Sequence, residues 1–392
     1  MQNRTLSAYV HVPFCASRCG YCDFNTYTAT ELTRDGSTVS AGNYANYVIQ
    51  EISQTKKNPN SIFHNDLREL TTVFFGGGTP TLLPAEDLVQ ILTALKSTFG
   101  LASTAEVTVE ANPDSVDLEY LRKLKAGGFT RISFGHQSSS QKILQVLDRT
   151  HTAGRTWAAV DWANQAGFEN VSVDLIYASP LETEVDLQKT LTELAIAIST
   201  GKINHVSAYS LIVEPGTRMA SKISRGELPN TDDDVAATRY EMIDRQLSEL
   251  GLNWYEVSNW AKPGGECLHN IAYWKNQDWL GIGPGAHAHN AGVRQWKVKH
   301  PAAWTSQLVA GQLPIADQEE LSIAETRRET IMLGLRLKQG LDLAELSAQG
   351  QEQARLAVTE GLLETDAFGS GLAVLTFRGR LLADGLVARL WD

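Results

Sequence analysis

The sequence predicts an α/β fold: a partial (β/α)6 barrel of the TIM type, followed by a small helical, winged-helix-like domain at the C-terminal end. Three observations predict it. Six short apolar, β-branched runs are each followed by a segment whose apolar residues recur at helical spacing. Strand and helix alternating in this way build a parallel sheet with helices outside it, and six units leave open a barrel that eight would close. After residue 252 the rhythm stops, and six of the nine tryptophans fall within about sixty residues.

In order, Leu6 to Val12 reads as the first strand, and Thr26 to Gly42, polar and threonine-rich, as an exposed loop. Asn43 to Lys57 carries Tyr44, Tyr47, Val48 and Ile52 on one helical face. Leu70 to Phe75 is the second strand, ended by Gly76, Gly77, Gly78, Thr79 and Pro80, with a helix from Pro84 to Thr98 whose first turn holds the proline. Strands at Ala105 to Glu110, Arg131 to Gly135, Val171 to Tyr177 and His205 to Leu211 alternate with helices at Val116 to Ala126, Ser139 to Leu147, Ala153 to Ala166, Val185 to Ser199 and Asp232 to Leu250. These units delimit a barrel over 1–252. The aromatic-rich stretch 253–318 reads as a cap, with Trp254, Trp260, Trp274, Trp279, Trp296 and Trp304. The last domain is expected over 319–392, with helices at Glu319 to Lys338, Leu343 to Ser347 and Gln351 to Glu360, then a strand at Val374 to Arg378 and a helix at Leu381 to Leu390.

Composition narrows the function. At 43% hydrophobic and 20% charged residues the chain is an ordinary globular protein, and its net charge of −11 disfavours a nucleic-acid partner, because neutralising phosphates needs excess Lys and Arg. There is no apolar run long enough for a transmembrane segment, and MQNRTLSAYV lacks the apolar core of a signal peptide, so the cytoplasm is the expected location.

Three of the four cysteines, Cys15, Cys19 and Cys22, lie in YVHVPFCASRCGYCDF with C-x3-C-x2-C spacing, just after the first strand. Thiolates are soft ligands, and a trio this tight favours a metal over a disulfide framework. Two sites satisfy it: zinc completed by a distant residue such as Cys267 or a histidine, or a [4Fe-4S] cluster whose fourth iron stays open. Gly76 to Gly78 let the backbone approach a ligand closely, without the signature of a P-loop or of a dinucleotide turn. Glu110, Gln137, Arg149 and Asp174 lie at or just beyond later strand ends, the face from which barrels do chemistry. CLHNIAYW offers His269 and Cys267 as haem or metal ligands and Tyr273 and Trp274 as stacking partners, and GIGPGAHAHN adds His287 and His289, which read as structural.

The cysteine loop with an aromatic before its last cysteine, Tyr21, resembles the cluster motif of the radical S-adenosylmethionine (AdoMet) superfamily. With FFGGGTPT, RISFGHQS, LDRTH and VDLIY, nearly the whole chain resembles its anaerobic coproporphyrinogen-oxidase branch. Phe24 stands where the oxidases of that branch carry a further cysteine, and only eight residues precede Tyr9. The HNxxYW motif, His269, Asn270, Tyr273 and Trp274, is similar to that of the HemW-like haem chaperones within the branch. The resemblance implies a [4Fe-4S] cluster on Cys15, Cys19 and Cys22. It implies AdoMet contacts from Tyr9, Tyr21, Gly77, Gly78, Thr79, Glu110, Gln137, Arg149 and Asp174, and a haem contact from His269. The implied partners are haem, haem-acceptor proteins and, where AdoMet is cleaved, an electron donor such as a flavodoxin or ferredoxin. The implied activity is haem binding and transfer; the alternative is oxygen-independent coproporphyrinogen III oxidation by radical AdoMet decarboxylation.

Overall fold

The computed structural model describes residues 4–35, 37, 39–149, 151 and 154–391. Six strands, β1 (Leu6–Val12), β2 (Leu70–Gly77), β3 (Leu101–Ala111), β4 (Arg131–Gln137), β5 (Asn170–Tyr177) and β6 (His205–Ser210), pair in sequence order, each parallel to the next. One face of each strand is apolar and packs outward onto the helices: Leu6, Ala8, Val10 and Val12 on β1 are fully buried with Val48 and Ile52 of the helix Tyr44–Lys57. The alternate positions point into the barrel and are mostly polar, Phe74 of β2 and Ile176 of β5 being exceptions. The helix start expected at Ala153 lies outside the described residues.

Both edges of this sheet are extended by the segment after residue 252. β7 (Asn253–Glu256) and β8 (Asn259–Ala261) form a hairpin antiparallel to β6. β9 (Asp278–Ile282) pairs parallel to β1, and β10 (His287–Asn290), β11 (Val293–Lys297) and β12 (Ile315–Glu320) follow antiparallel, giving twelve strands in one sheet. The aromatic stretch 253–318 is thus part of the barrel wall and shares its core, where Trp254, Trp260 and Trp304 are buried. Strands of three to six residues are too short to show a period, and the two that join the barrel, β8 and β9, pair with strands far away in sequence. Between the hairpin and β9 the helix Leu268–Trp274 enters the barrel from its base, with His269 stacked 5.1 Å from Phe74 of β2.

The helix expected over Glu319 to Lys338 is shorter. Glu319 and Glu320 end β12, and Ser322 then caps the helix Ile323–Gly334 in a reciprocal box with Glu325. The same device, Thr28 with Glu31, sets a short helix Ala29–Arg34 inside the stretch expected as loop. The C-terminal part has a core of its own, including Leu335, Leu346, Leu386 and Leu390, under the helices Ala348–Thr359 and Ala383–Leu390 and a two-stranded ribbon, Leu341–Asp342 with Leu372–Ala373. Leu343–Glu345 forms a single 3-10 turn, and the strand expected at Val374 to Arg378 is replaced by this ribbon and the helix Phe377–Leu381. Arg380 ties the module to the barrel: its guanidinium pairs with both Asp244 oxygens, at 2.8 and 2.9 Å, and lies 4.7 Å over the Trp254 ring. Among the described residues no helix is long and apolar enough to cross a membrane.

Candidate cofactor cavity

The barrel encloses a cavity of about 550 Å³, whose wall contains all thirteen residues singled out by motif: Tyr9, Cys15, Cys19, Tyr21, Cys22, Gly77, Gly78, Thr79, Glu110, Gln137, Arg149, Asp174 and His269. The cysteine loop forms its mouth. Three backbone anchors hold the loop: Cys15 N–H donates to the Tyr27 carbonyl (3.0 Å), Gly20 N–H to Leu147 (3.1 Å), and Met219 N–H to Gly20 (2.8 Å). The thiols are free and half-buried, and burial pushes the Cys15 thiol up to about 11 and raises that of Cys22. Such thiols give up their protons only to a strong local positive charge, as a bound metal provides.

The glycines at the end of β2 act on this loop rather than on open space. A Cβ on Gly78 would lie 2.4 Å from the Phe14 carbonyl oxygen and 3.1 Å from the Cys15 sulfur. Gly77, at φ +112°, would press its own Cβ to 2.7 Å from the His11 ring. Without side chains, β2 and the loop bond directly, Gly78 N–H to Val12 O at 2.8 Å and Thr79 N–H to Phe14 O at 2.7 Å.

The carboxylates line the middle of the cavity. Glu110 accepts the Gly77 N–H at 3.2 Å, and burial, with Asp174 adding repulsion, pushes its carboxyl up to about 8. Asp174 is raised by burial too, against hydrogen bonds from Ser207 and Ser133 (2.9 Å for the latter) and the nearby Arg149. Two buried carboxyls without a cation between them fit a ligand that brings an ammonium group. A register shift between Gly135 and Gln137 turns Gln137, at φ +65°, into the cavity and sends His136 outward onto Thr156 and Ser139. Arg149 reaches Cys19 Sγ with Nη1 at 3.3 Å and the Gly135 carbonyl with Nη2 at 3.1 Å, while its buried Nε has no partner among the described residues. Tyr9 donates to or accepts from His11 Nδ1 at 3.0 Å, and burial raises the Tyr21 phenol.

His269 sits at the opposite end, in the base. It is 1% exposed, its Nδ1 bonds Thr72 Oγ1 at 2.7 Å and its Nε2 bonds Tyr273 OH at 3.0 Å. Both ring nitrogens are thus engaged with hydroxyl groups of the protein, while the ring itself lines the base of the cavity. Cys267 is remote from the other three cysteines in role as well: its thiol donates to Glu106, which also accepts the His269 N–H (3.1 Å) and the Arg131 guanidinium (2.8 Å). Trp274 points away toward Arg336 of the C-terminal module, 5.9 Å from its ring. Ser133, Ser172, Ser207, Tyr209, Arg131 and His205 also line the cavity and were not singled out from the sequence. They alternate with the apolar core positions on β4, β5 and β6, so a period-of-two reading of those strands marks them.

Among the described residues no three His, Cys, Asp or Glu side chains form a site for one metal ion. An iron–sulfur cluster asks instead for one sulfur at each of several iron corners. Three thiols on one anchored loop, a guanidinium beside one sulfur and a buried polar wall beyond them fit a three-cysteine cluster with a ligand on its open side.

Fold and loop together define a radical AdoMet barrel, and the model of the Radical SAM superfamily matches residues 9–194. Over 390 residues, 100% of this chain and 96% of the relative, the sequence is 44% identical to the heme chaperone HemW of Mycobacterium tuberculosis (strain ATCC 25618 / H37Rv). It is 32% identical over 384 residues to heme chaperone HemW of Bacillus subtilis (strain 168), covering 96% and 97% of the two chains. The chain belongs to the HemW family. Coproporphyrinogen III oxidase (HemN) from Escherichia coli shares the fold, with a TM-score of 0.80 at 22% identity over 99% of this chain and 90% of that one.

Proposed function

We propose that this chain is a haem chaperone that binds haem and passes it to haem-acceptor proteins. In this reading Cys15, Cys19 and Cys22 carry a [4Fe-4S] cluster with AdoMet on its open iron. The observation that carries the reading is the 44% identity to a HemW protein over the full chain, joined to a cavity that fits the cluster and its ligand. Glu110 and Asp174 would receive the ligand's ammonium, Arg149 and Gln137 its carboxylate, and Gly77, Gly78 and Thr79 would hold the loop against the ligand. Tyr9 and Tyr21 would close the sides. When bound, the cluster and AdoMet supply one-electron chemistry, with a flavodoxin or ferredoxin as donor where AdoMet is cleaved. Free thiols suit a reducing compartment, and the cytoplasm is the location this reading assigns.

The test is anaerobic. After cluster reconstitution, haem titration and coproporphyrinogen III conversion are measured on one sample. The expected result is saturable haem binding without conversion; AdoMet-dependent conversion over many turnovers would assign the chain to the oxidases instead.

A further inference from the structure

Cys19 has a donor in Arg149, whose Nη1 lies 3.3 Å from its sulfur. The other two sulfurs share one. Thr26 lies just past the cysteine loop, is 2% exposed, and its side chain stands beside both Cys15 and Cys22. Its buried hydroxyl oxygen completes no hydrogen bond among the described residues. A thiol is a weak acceptor, whereas a thiolate bound to iron carries charge and lone pairs, so cluster ligation turns these two sulfurs into the partner that the hydroxyl needs.

The backbone keeps this hydroxyl in place. Thr26 N–H donates to the Phe24 carbonyl at 2.7 Å, and the Thr26 carbonyl accepts the Arg18 guanidinium. Tyr27, the next residue, bonds in both directions to the end of β1: its N–H donates to the Pro13 carbonyl at 2.7 Å and its carbonyl accepts the Cys15 N–H at 3.0 Å. With both flanks pinned, a β-branched side chain has few rotamers to choose from, and burial leaves the hydroxyl little water to turn to. Thr79 also stands at Cys15 and the Phe24 backbone at Cys22, but of these groups Thr26 alone serves two ligands.

We propose that in the loaded protein the Thr26 hydroxyl donates to the sulfurs of Cys15 and Cys22 and, together with Arg149 on Cys19, raises the reduction potential of the cluster. The added electron of the reduced cluster places negative charge on its sulfurs, and a fixed donor stabilises that charge more than it stabilises the oxidised form. Thr26 thereby acts through the ligands, as a positioning residue, and touches neither AdoMet nor haem. The inference rests on the cluster reading, and its test separates the two.

The midpoint potential of the reconstituted full chain is measured without AdoMet, by titration with dithionite followed by EPR. Thr26→Val keeps the shape and removes the hydroxyl; it is expected to hold as much iron as wild type and to have a lower potential, by about the 59 mV that corresponds to a tenfold change in a one-electron equilibrium. Thr26→Ser keeps the O–H and should titrate with wild type. Electron–nuclear double resonance should show a solvent-exchangeable proton coupling in wild type that Thr26→Val lacks. An unchanged potential in iron-loaded Thr26→Val, or equal shifts in Thr26→Val and Thr26→Ser, overturns the proposal and leaves the cluster standing. Loss of iron from Thr26→Val with full loading of Thr26→Ser again assigns the hydroxyl to the sulfurs, whereas loss from both makes Thr26 a packing residue and overturns the proposal. A wild-type chain that takes up no iron overturns the cluster reading itself.

Discussion

Glu110 is a carboxyl that burial, with Asp174 adding repulsion, keeps protonated at neutral pH. Its value is raised from 4.5 to about 8, so the stability it contributes is fully present below pH 4.5 and is lost as the pH rises through about 8. AdoMet-free wild type should therefore lose thermal stability between about pH 5 and pH 9, and Glu110→Gln should lose less, by on the order of a few kcal/mol at the upper end. A ligand ammonium placed beside Glu110 reverses the effect, so the thermal shift produced by AdoMet should grow with pH in wild type and shrink in Glu110→Gln. An equal pH response in the two proteins would show that Glu110 is not the buried acid of this cavity. The residue was legible as the last polar position of a β-branched run; Ser133 and Ser207, which donate to the neighbouring Asp174, were not, because a lone serine in a strand carries no signal until its neighbour across the sheet is known.

At the scale of elements, the end of β2 and the cysteine loop form one unit. Gly78→Ala puts a Cβ against the Phe14 carbonyl and the Cys15 sulfur, and iron content after reconstitution should fall to a small fraction of wild type. Cys267→Ala should leave iron content unchanged, since that thiol belongs to the base. There the buried Glu106–Arg131 pair, 2.8 Å long, fastens β3 and β4 to the helix Leu268–Trp274, and Arg131→Ala should cost about 3–5 kcal/mol in denaturant unfolding by stranding Glu106. Loss of less than about 1 kcal/mol would mean that water reaches the base and solvates the carboxylate. The six β/α units were legible because each is long, periodic and local. β7 to β12 were not: each is three to six residues long, and what joins them to the barrel is the pairing of β8 and β9 with strands distant in the chain. The helix Leu268–Trp274 shows a recognisable motif without showing its direction, and only the packing of His269 on Phe74 places that motif inside the barrel base.

For the whole molecule, the C-terminal module and the barrel have separate cores, joined by Arg380, by Arg336 over the Trp274 ring and by the Arg294–Glu329 pair. Arg380 carries much of that joint through Asp244, Trp254, Tyr240 and Phe377. Arg380→Ala should weaken the joint by about 1–3 kcal/mol, seen as calorimetric unfolding that separates into two transitions, with haem binding and iron content retained. The sequence shows such a module by its change of rhythm and cannot show its seat, which depends on a cation meeting the distant aromatic faces of Tyr240 and Trp254.

The central claim is that the thirteen motif residues wall one cavity, in which a three-cysteine cluster keeps an iron open to AdoMet. The most direct measurement is the EPR spectrum of the reduced, reconstituted protein with and without AdoMet. The expected result is a shifted signal on adding AdoMet, weakened in Glu110→Gln and preserved in Cys267→Ala. A spectrum unchanged at saturating AdoMet would contradict the claim.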